Sequence, residues 1–309
     1  MERMIVRTRH WLQTCDPLGY IGAQAIGRRL RETTVQPVPC DRTIHRVLQR
    51  CGVLAAPRPR WPAPPRGWYL PPVADGSAEL MQIDLIEALR LKQSDLVEVL
   101  TGITLWTNVI MAEPATAPWR LDALLPTLGT QWDDCGYPAF VQSDNDTRFV
   151  GSSRAVHRLG RFIGFCLERG VVPVFAPPRE SGFQAAVESF NGLWQNKVWY
   201  RFHHDCPAAL QTRSRAFVQA HHARCARPRT DLLRNGRAAP ADLVVFIRRT
   251  DAQGRVYLLG DLIAVAPHWP HRLVRCELHV GQQLLRAFAL SRRSPQHQPL
   301  LNEQRFVIR

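Results

Sequence analysis

Three acidic residues lie at positions where the negative charge of a carboxylate needs a compensating partner. Asp84 lies in the middle of the apolar run 81–86, Asp144 follows the short apolar run 139–142, and Glu188 lies within a stretch of helical character. A carboxylate inside an apolar strand is costly unless hydrogen bonds or a cation compensate its charge. Carboxylate oxygens are the ligands that Mg²⁺ and Mn²⁺ prefer. If the fold brings these three acids together, they form a site for hard divalent ions.

Two such ions a few ångströms apart would activate a water or a 3′-hydroxyl and stabilise the leaving oxygen in phosphodiester cleavage or transfer. Each acid taken alone has a simpler interpretation. Asp84 could be an edge-strand acid, Asp144 a turn former before Asn145, and Glu188 a surface residue of a helix. The metal interpretation therefore depends on all three acids occurring together.

The elements that must position these acids form an α/β pattern. Strands are predicted at 81–86, 96–103, 105–111, 139–142 and 171–175, and helices at 119–134, 154–169 and 183–202. Three consecutive strands followed by alternating helices and strands predict a mixed sheet with helices on both faces. On the last helix, one polar stripe collects four residues on one side of the helix: Gln184, Glu188, Asn191 and Gln195.

The N-terminal segment predicts a helix-turn-helix-like module. One amphipathic helix is predicted at 21–32, and a second begins after Asp41 as N-cap and ends at Gly52. The second helix would present Arg42, Thr43 and Arg46 to solvent, as a recognition helix in the major groove does. A plain helical hairpin is the alternative.

Two further segments complete the domain pattern. Residues 56–72 contain seven prolines among 17 residues, which excludes a helix and predicts a semi-rigid basic linker. Beyond about residue 239, short apolar runs separated by turn residues predict a small SH3-like β-barrel. The predicted domains are a helical module at 1–55, a linker at 56–78, a catalytic core at 79–228 and a basic barrel at 229–309.

Charge is distributed unevenly along the chain. Basic minus acidic residues give 12 − 6 = +6 for residues 1–80, 10 − 13 = −3 for 81–199 and 18 − 7 = +11 for 200–309. Basic flanks predict binding of a polyanion such as DNA, although abundant arginine from codon bias would give the same totals. Since the chain shows neither a long apolar stretch nor an apolar leader, we expect a cytoplasmic, nucleoid-associated protein with no membrane partner.

Around the three acids the sequence resembles the catalytic core of the DDE transposases and retroviral-type integrases, most closely the bacterial insertion-sequence transposases. The resemblance covers about residues 80–225 and rests on Asp84, on SDNDTRF around Asp144, and on PPRESGFQAAVESFNGLWQ, in which Asn191 follows Glu188. It implies a ribonuclease H-like fold in which Asp84, Asp144 and Glu188 bind two Mg²⁺ or Mn²⁺ ions. It also implies DNA cleavage and strand transfer by a homo-oligomer assembled on DNA.

Some positions depart from the family pattern. Asp146 stands where the family more often has glycine, and the 44 positions from Asp144 to Glu188 are more than usual. Gln195 replaces a common DNA-contacting lysine, for which Lys197 is a nearby substitute. The expected DNA contacts are Arg42, Thr43, Arg46, Gln184, Asn191 and Lys197. Two other functions stay open: a catalytically inactive DNA-binding remnant or regulator with the same fold, and a ribonuclease H-like nuclease that cuts without joining.

Overall fold

The computed structural model describes residues 1–33, 37–54, 65–91, 96–152, 155–180, 182–227 and 231–309. Residues 56–64 of the predicted linker lie outside the described residues. The chain divides into two compact units, one made of Met1–Ala63 with Gln219–His221 and the other of Pro64–Val218 with His222–Arg309. No helix in the described part of the chain is long and apolar enough to cross a membrane.

The described residues of the first unit form the helices α1 (Glu2–Thr14), α2 (Ala23–Glu32) and α3 (Asp41–Arg50). Their shared core is apolar and consists of Ile5, Leu12, Ile26, Leu30, Ile44, Val47 and Leu48. On α3 the buried residues recur at helical spacing, and Arg42, Thr43 and Arg46 are exposed on the opposite side, as the sequence predicts. The sequence did not predict α1.

The start of α3 differs from the prediction by one residue. Cys40 occupies the N-cap position, and Asp41 is the first residue of the helix. An acid in the first turn still interacts favourably with the unpaired N–H groups of the helix N-terminus. Gly52, with a φ of +68°, follows the end of α3 and stops the helix as predicted.

A large mixed sheet dominates the second unit. Its strands are β1 (Leu80–Arg90), β2 (Leu96–Thr104), β3 (Ile110–Thr116), β4 (Phe140–Ser143), β5 (Val172–Phe175), β6 (Leu243–Arg249), β9 (Leu273–His279), β10 (Leu284–Ala289) and β11 (Leu300–Arg305), with β7 (Arg255–Leu258) and β8 (Asp261–Ala264) paired separately. Among the described residues the strand order is β11-β10-β9-β6-β5-β4-β1-β2-β3. The pairs from β1 through β4 and β5 to β6 are parallel, and the outer pairs are antiparallel.

Helices cover both faces of this sheet. They are α4 (Pro71–Ala74), α5 (Leu121–Cys135), α6 (Thr147–Val150), α7 (Arg161–Leu167), α8 (Ala185–Trp194), the π-helical turn Gln195–Trp199 and α9 (Pro207–Cys225). Side chains of α5 and α7, such as Trp132 and Phe162, share one apolar core with Phe175 of β5. The neighbouring Val174 points into a second core with Phe183, which lies just before α8. The predicted mixed α/β sheet is therefore confirmed.

Three predicted elements require correction beyond small shifts of their ends. The third strand begins at Ile110 rather than 105, because the carboxylate of Glu79 accepts hydrogen bonds from the N–H groups of Trp106 and Thr107 and holds that segment in a turn. The predicted helix 154–169 is only α7, and the helix 183–202 divides into α8 and the π-helical turn. Gly151, at φ +96°, ends the short α6 and separates it from α7.

The C-terminal strands differ from the separate small barrel that the sequence predicts. β6 pairs in parallel with β5, with Val174 opposite Val245 and Phe175 opposite Phe246, and β9, β10 and β11 extend the same sheet. The rings of Phe175 and Phe246 stack with centroids 5.1 Å apart. Residues 244–248 are all buried, which is typical of a strand covered on both faces rather than of an alternating barrel strand.

This shared core gives a testable prediction. Because Phe246 packs on Phe175, Phe246→Ala should destabilise the second unit by about 3–5 kcal/mol and speed amide hydrogen exchange in β4 and β5 as well as in β6. The milder Phe246→Leu should show the same pattern at smaller amplitude, and exposed Tyr257→Ala serves as control. Faster exchange confined to 243–290 would show instead that the C-terminal strands unfold independently.

Candidate active site

Parallel pairing of β1 with β4 brings Asp84, within β1, close to Asp144, the residue that directly follows β4. The register sets Gln82 opposite Gln142, and each aspartate follows its glutamine by two residues. Because side chains alternate along a strand, each aspartate shares a sheet face with its glutamine. Both aspartates are half-buried. The fold therefore brings two of the three predicted carboxylates to one edge of the parallel strands.

The third carboxylate is positioned through the side chain of Gln82. Its Oε1 accepts hydrogen bonds from the backbone N–H groups of Ala186 and Val187, both at 3.2 Å, and its Nε2 donates to the carbonyl of Phe183 at 2.7 Å. The first N–H groups of a helix have no partner within the helix, so a strand side chain here completes the N-terminus of α8. Glu188 lies in the first turn of that helix.

Gln142 and Tyr69 extend this buried network. Gln142 Oε1 accepts hydrogen bonds from Gln82 Nε2 at 3.1 Å and from the Tyr69 hydroxyl at 2.5 Å. Burial raises the pKa of Tyr69, so its hydroxyl keeps its proton and remains a donor. The ring of Tyr69 also lies 5.0 Å from that of Phe183. The network joins the segment before α4, two sheet strands and the start of α8.

Asn191 orients Asp84. Its Nδ2 donates to Asp84 Oδ2 at 2.8 Å, and its Oδ1 accepts a hydrogen bond from the buried Thr101 hydroxyl at 2.7 Å. The sequence predicts Asn191 as a DNA contact, but both ends of its carboxamide bind within the chain. The polar stripe of α8 faces β1 and β2 at this position, so Asn191 is placed to orient Asp84, and its contact with DNA stays a prediction.

Burial and mutual repulsion make the two aspartates reluctant to ionise. The pKa of Asp84 is raised to about 6, chiefly by burial and further by the negative charges of Asp144 and Glu188. Burial is also the main reason that the pKa of Asp144 is raised. Among the described residues, no Lys, Arg or His side chain forms an ion pair with any of the three acids.

Asp146, the departure from the family pattern, is compensated within the chain. Its Oδ1 accepts the N–H of Arg148 at 2.8 Å, which caps α6, and its Oδ2 pairs with the Arg148 guanidinium at 2.8 Å. Arg148 also pairs with Glu87 and with Glu98, the latter at 3.2 Å. The hydrogen bond with Arg148 is the main reason that the pKa of Asp146 is lowered. The folded protein therefore favours the ionised form of Asp146, whereas it disfavours the ionised form of Asp84.

The donor chemistry fits a hard divalent cation, although the ligands are not yet gathered around one point. Asp84, Asp144 and Glu188 offer carboxylate oxygens, and a cation would relieve the repulsion that raises the pKa of Asp84. In the part of the chain that the structure describes, no group of three His, Cys, Asp or Glu side chains is already arranged to hold a metal ion. Glu188 is the exposed member of the three.

An open groove runs beside Asp144. It is lined by Asp144, Asn145 and Asp146 on one side, by residues 176–180 on the other, and by Gln184 at the N-cap of α8. Gln184, a predicted DNA contact, therefore borders the site. Lys197 lies in the π-helical turn and is half-buried. Arg42, Thr43 and Arg46 belong to the first unit.

Several positioning residues were missed by the sequence interpretation, among them Gln82, Gln142 and Thr101. One signal was available for the glutamines, since the pattern Gln-x-Asp occurs at both acids, as QID at 82–84 and as QSD at 142–144. Thr101 gave no local signal, because its partner Asn191 lies 90 positions away in the sequence.

Comparisons with known proteins find similarity to solved structures but to no family model. No family model matches the chain, and no curated protein matches it. Among solved structures, the chain is similar to the simian T-cell lymphotropic virus intasome solved by cryo-electron microscopy in complex with PP2A regulatory subunit B56 gamma. The TM-score is 0.41 at 12% sequence identity, over 93% of this chain and 95% of that chain. The functional argument rests on the site itself.

The raised pKa of Asp84 predicts a stabilising substitution. The ionised form is penalised in the folded state, so the contribution of Asp84 to stability should fall as pH rises from about 4 to 6 and stay lower above it. Asp84→Asn removes this penalty while keeping an oxygen for Asn191. Without divalent cations, it should raise the free energy of unfolding by about 1–3 kcal/mol at pH 8 and change little at pH 3.5, as measured by urea denaturation.

Asp146→Asn is the matched control, and its effect on the free energy of unfolding should have the opposite sign. The lowered pKa of Asp146 means that its charge stabilises the fold above its unfolded pKa, and this contribution disappears as pH falls. The substitution should cost about 1 kcal/mol or less at pH 8, since solvent screens this partly exposed pair. Equal destabilisation by both substitutions at pH 8 would contradict the assigned electrostatics of Asp84.

Proposed function

We propose that the protein is a metal-dependent DNA transposase or integrase of the DDE type, with a ribonuclease H-like core in its second unit. The observation that carries this proposal is the position of Asp84 on β1 and of Asp144 at the end of the adjacent parallel strand β4, with Glu188 near enough for its charge to raise the pKa of Asp84. A set of carboxylates that repel one another, two of them half-buried, is costly to a fold, and such sets occur often at functional sites.

Asp84, Asp144 and Glu188 would hold two Mg²⁺ or Mn²⁺ ions. When bound, these ions would activate a water or DNA 3′-hydroxyl for attack on a phosphodiester and stabilise the leaving oxygen. The chain itself sets the positions of the carboxylates. Asn191 fixes the rotation of the Asp84 carboxylate through Oδ2, and Gln82 holds the helix turn that carries Glu188. No covalent protein intermediate is required.

Distribution of charge supports DNA as the substrate. The 18 basic and 7 acidic residues of 200–309 leave that part of the chain at +11, and exposed Arg42, Thr43 and Arg46 on α3 offer a second basic surface. Gln184 and Lys197 would contact DNA near the groove. Joining two element ends to a target requires two active sites, so we expect a homo-oligomer on DNA, working beside the nucleoid of a bacterial cytoplasm.

One observation favours a second candidate, a DNA-binding remnant or regulator that kept the fold without the chemistry. In the described residues the acids are not gathered into a ligand set. In the proposed enzyme, cation and DNA phosphate would draw Glu188 toward the aspartates. In the regulator, the acids would stay apart whatever ion is added.

A plasmid assay tests the proposed function. Wild-type protein with Mn²⁺ should nick supercoiled plasmid or join DNA to it, whereas Asp144→Asn and Glu188→Gln should each lose about 1000-fold in rate, equivalent to roughly 4 kcal/mol of barrier. Glu303→Gln changes an exposed acid of β11 that pairs with Arg286, and this variant should behave as wild type. All variants should bind DNA equally.

Different results would point to different functions. Full activity in Glu188→Gln or Asp144→Asn would contradict the assigned site. DNA binding by the wild type without cleavage under any divalent ion would favour the regulator. Nicked products without any joined DNA, even when pre-cut ends are supplied, would favour a nuclease that cuts without joining.

A further inference from the structure

A guanidinium group is buried beside the groove without an acidic partner. Arg248 lies on β6, its residue is 7% exposed, and among the described residues no carboxylate forms an ion pair with it. Burial lowers the pKa of Arg248 to about 10, so the group stays charged at neutral pH. A buried, unpaired cation is expensive and needs a structural or functional reason.

Its hydrogen bonds identify that reason. One terminal nitrogen donates to Asn145 Oδ1 at 2.8 Å, and the other lies 3.3 Å from the carbonyl of Ala176 and 2.8 Å from that of Ile247. Asn145 Nδ2 donates to the same Ala176 carbonyl at 2.6 Å. Arg248 and Asn145 thus meet on one backbone oxygen. This contact joins the segment after β4 to the segment after β5.

Both segments border the candidate site. Asn145 follows Asp144 directly, and Ala176 begins the stretch 176–180 that forms the other wall of the groove. Parallel strands leave their last carbonyls without ladder partners where the loops begin. A guanidinium can satisfy several acceptors at once with its planar set of five donors, which an ammonium group cannot do. The residue type therefore suits this bridging position.

We propose that Arg248 is a positioning residue for Asp144, acting through Asn145 and Ala176. By this contact a C-terminal strand sets the backbone of the segment that carries a catalytic carboxylate, so the site is complete only with β6 in place. The part of this inference that concerns metal binding rests on the proposed function. The positioning of the two segments does not.

The test compares Arg248→Met and Arg248→Lys with Arg286→Met, which removes an exposed arginine paired with Glu303. Mn²⁺ binding is measured by titration calorimetry without DNA, and amide hydrogen exchange is followed at 143–148 and 176–180. Arg248→Met should weaken Mn²⁺ binding about tenfold, as loss of residues that orient metal ligands usually does. It should also speed exchange in both segments. Arg248→Lys should show smaller changes of the same kind, and Arg286→Met none.

The readouts separate positioning from general stability. A purely structural role of Arg248 would lower the melting temperature but leave the Mn²⁺ affinity of the folded protein unchanged, and that result overturns the proposal. If Arg248→Met does not fold, Arg248→Lys decides by the same criteria. If the wild type binds no Mn²⁺, the proposed function fails, and exchange at 143–148 and 176–180 alone decides whether Arg248 positions these segments.

Discussion

The buried carboxamide of Gln82 is the interaction on which the arrangement of the site depends. It binds Gln142 across the β1–β4 pair and the N-terminal turn of α8, so one side chain links the three elements that carry Asp84, Asp144 and Glu188. Leaving such buried donors and acceptors without partners costs about 1–3 kcal/mol for each group. Any change at position 82 that removes these hydrogen bonds would therefore release α8 from the strands as well as weaken the core.

Within this frame the chain treats its acids in two ways. Asp146 is paired with Arg148 and stabilises the fold, whereas Asp84 is half-buried near two other carboxylates and costs stability when ionised. Asp84 lies on β1, and Asp146 lies just beyond β4, the strand that pairs with β1. The general acidity of the region therefore does not explain why one charge destabilises the fold and the other stabilises it. A carboxylate without a basic partner, next to one that has such a partner, is expected at a cation-binding site when no cation is bound, because the cation itself would neutralise the charge.

Sequence patterns identified the candidate acids and the mixed sheet, but they did not identify the side chains that hold the acids in position. Asp84 was identifiable because an acid in an apolar strand is unusual, and α3 because its apolar residues recur at helical spacing. The run 243–247 was assigned to a barrel, since periodicity does not distinguish a strand covered on both faces from other short apolar strands. Asn191 was assigned to DNA because a polar stripe indicates a side of a helix but not its partner. The partner of Asn145 lies 103 positions away, beyond any local pattern.

Crystals soaked with Mn²⁺ offer the most direct measurement of the central claim. An anomalous difference map should show two peaks about 3.5–4 Å apart, bounded by the carboxylates of Asp84, Asp144 and Glu188. The side chain of Glu188 should have moved toward the aspartates. A map without peaks at these residues at saturating Mn²⁺, with Glu188 still exposed, would contradict the account of the three acids as a metal-dependent catalytic site.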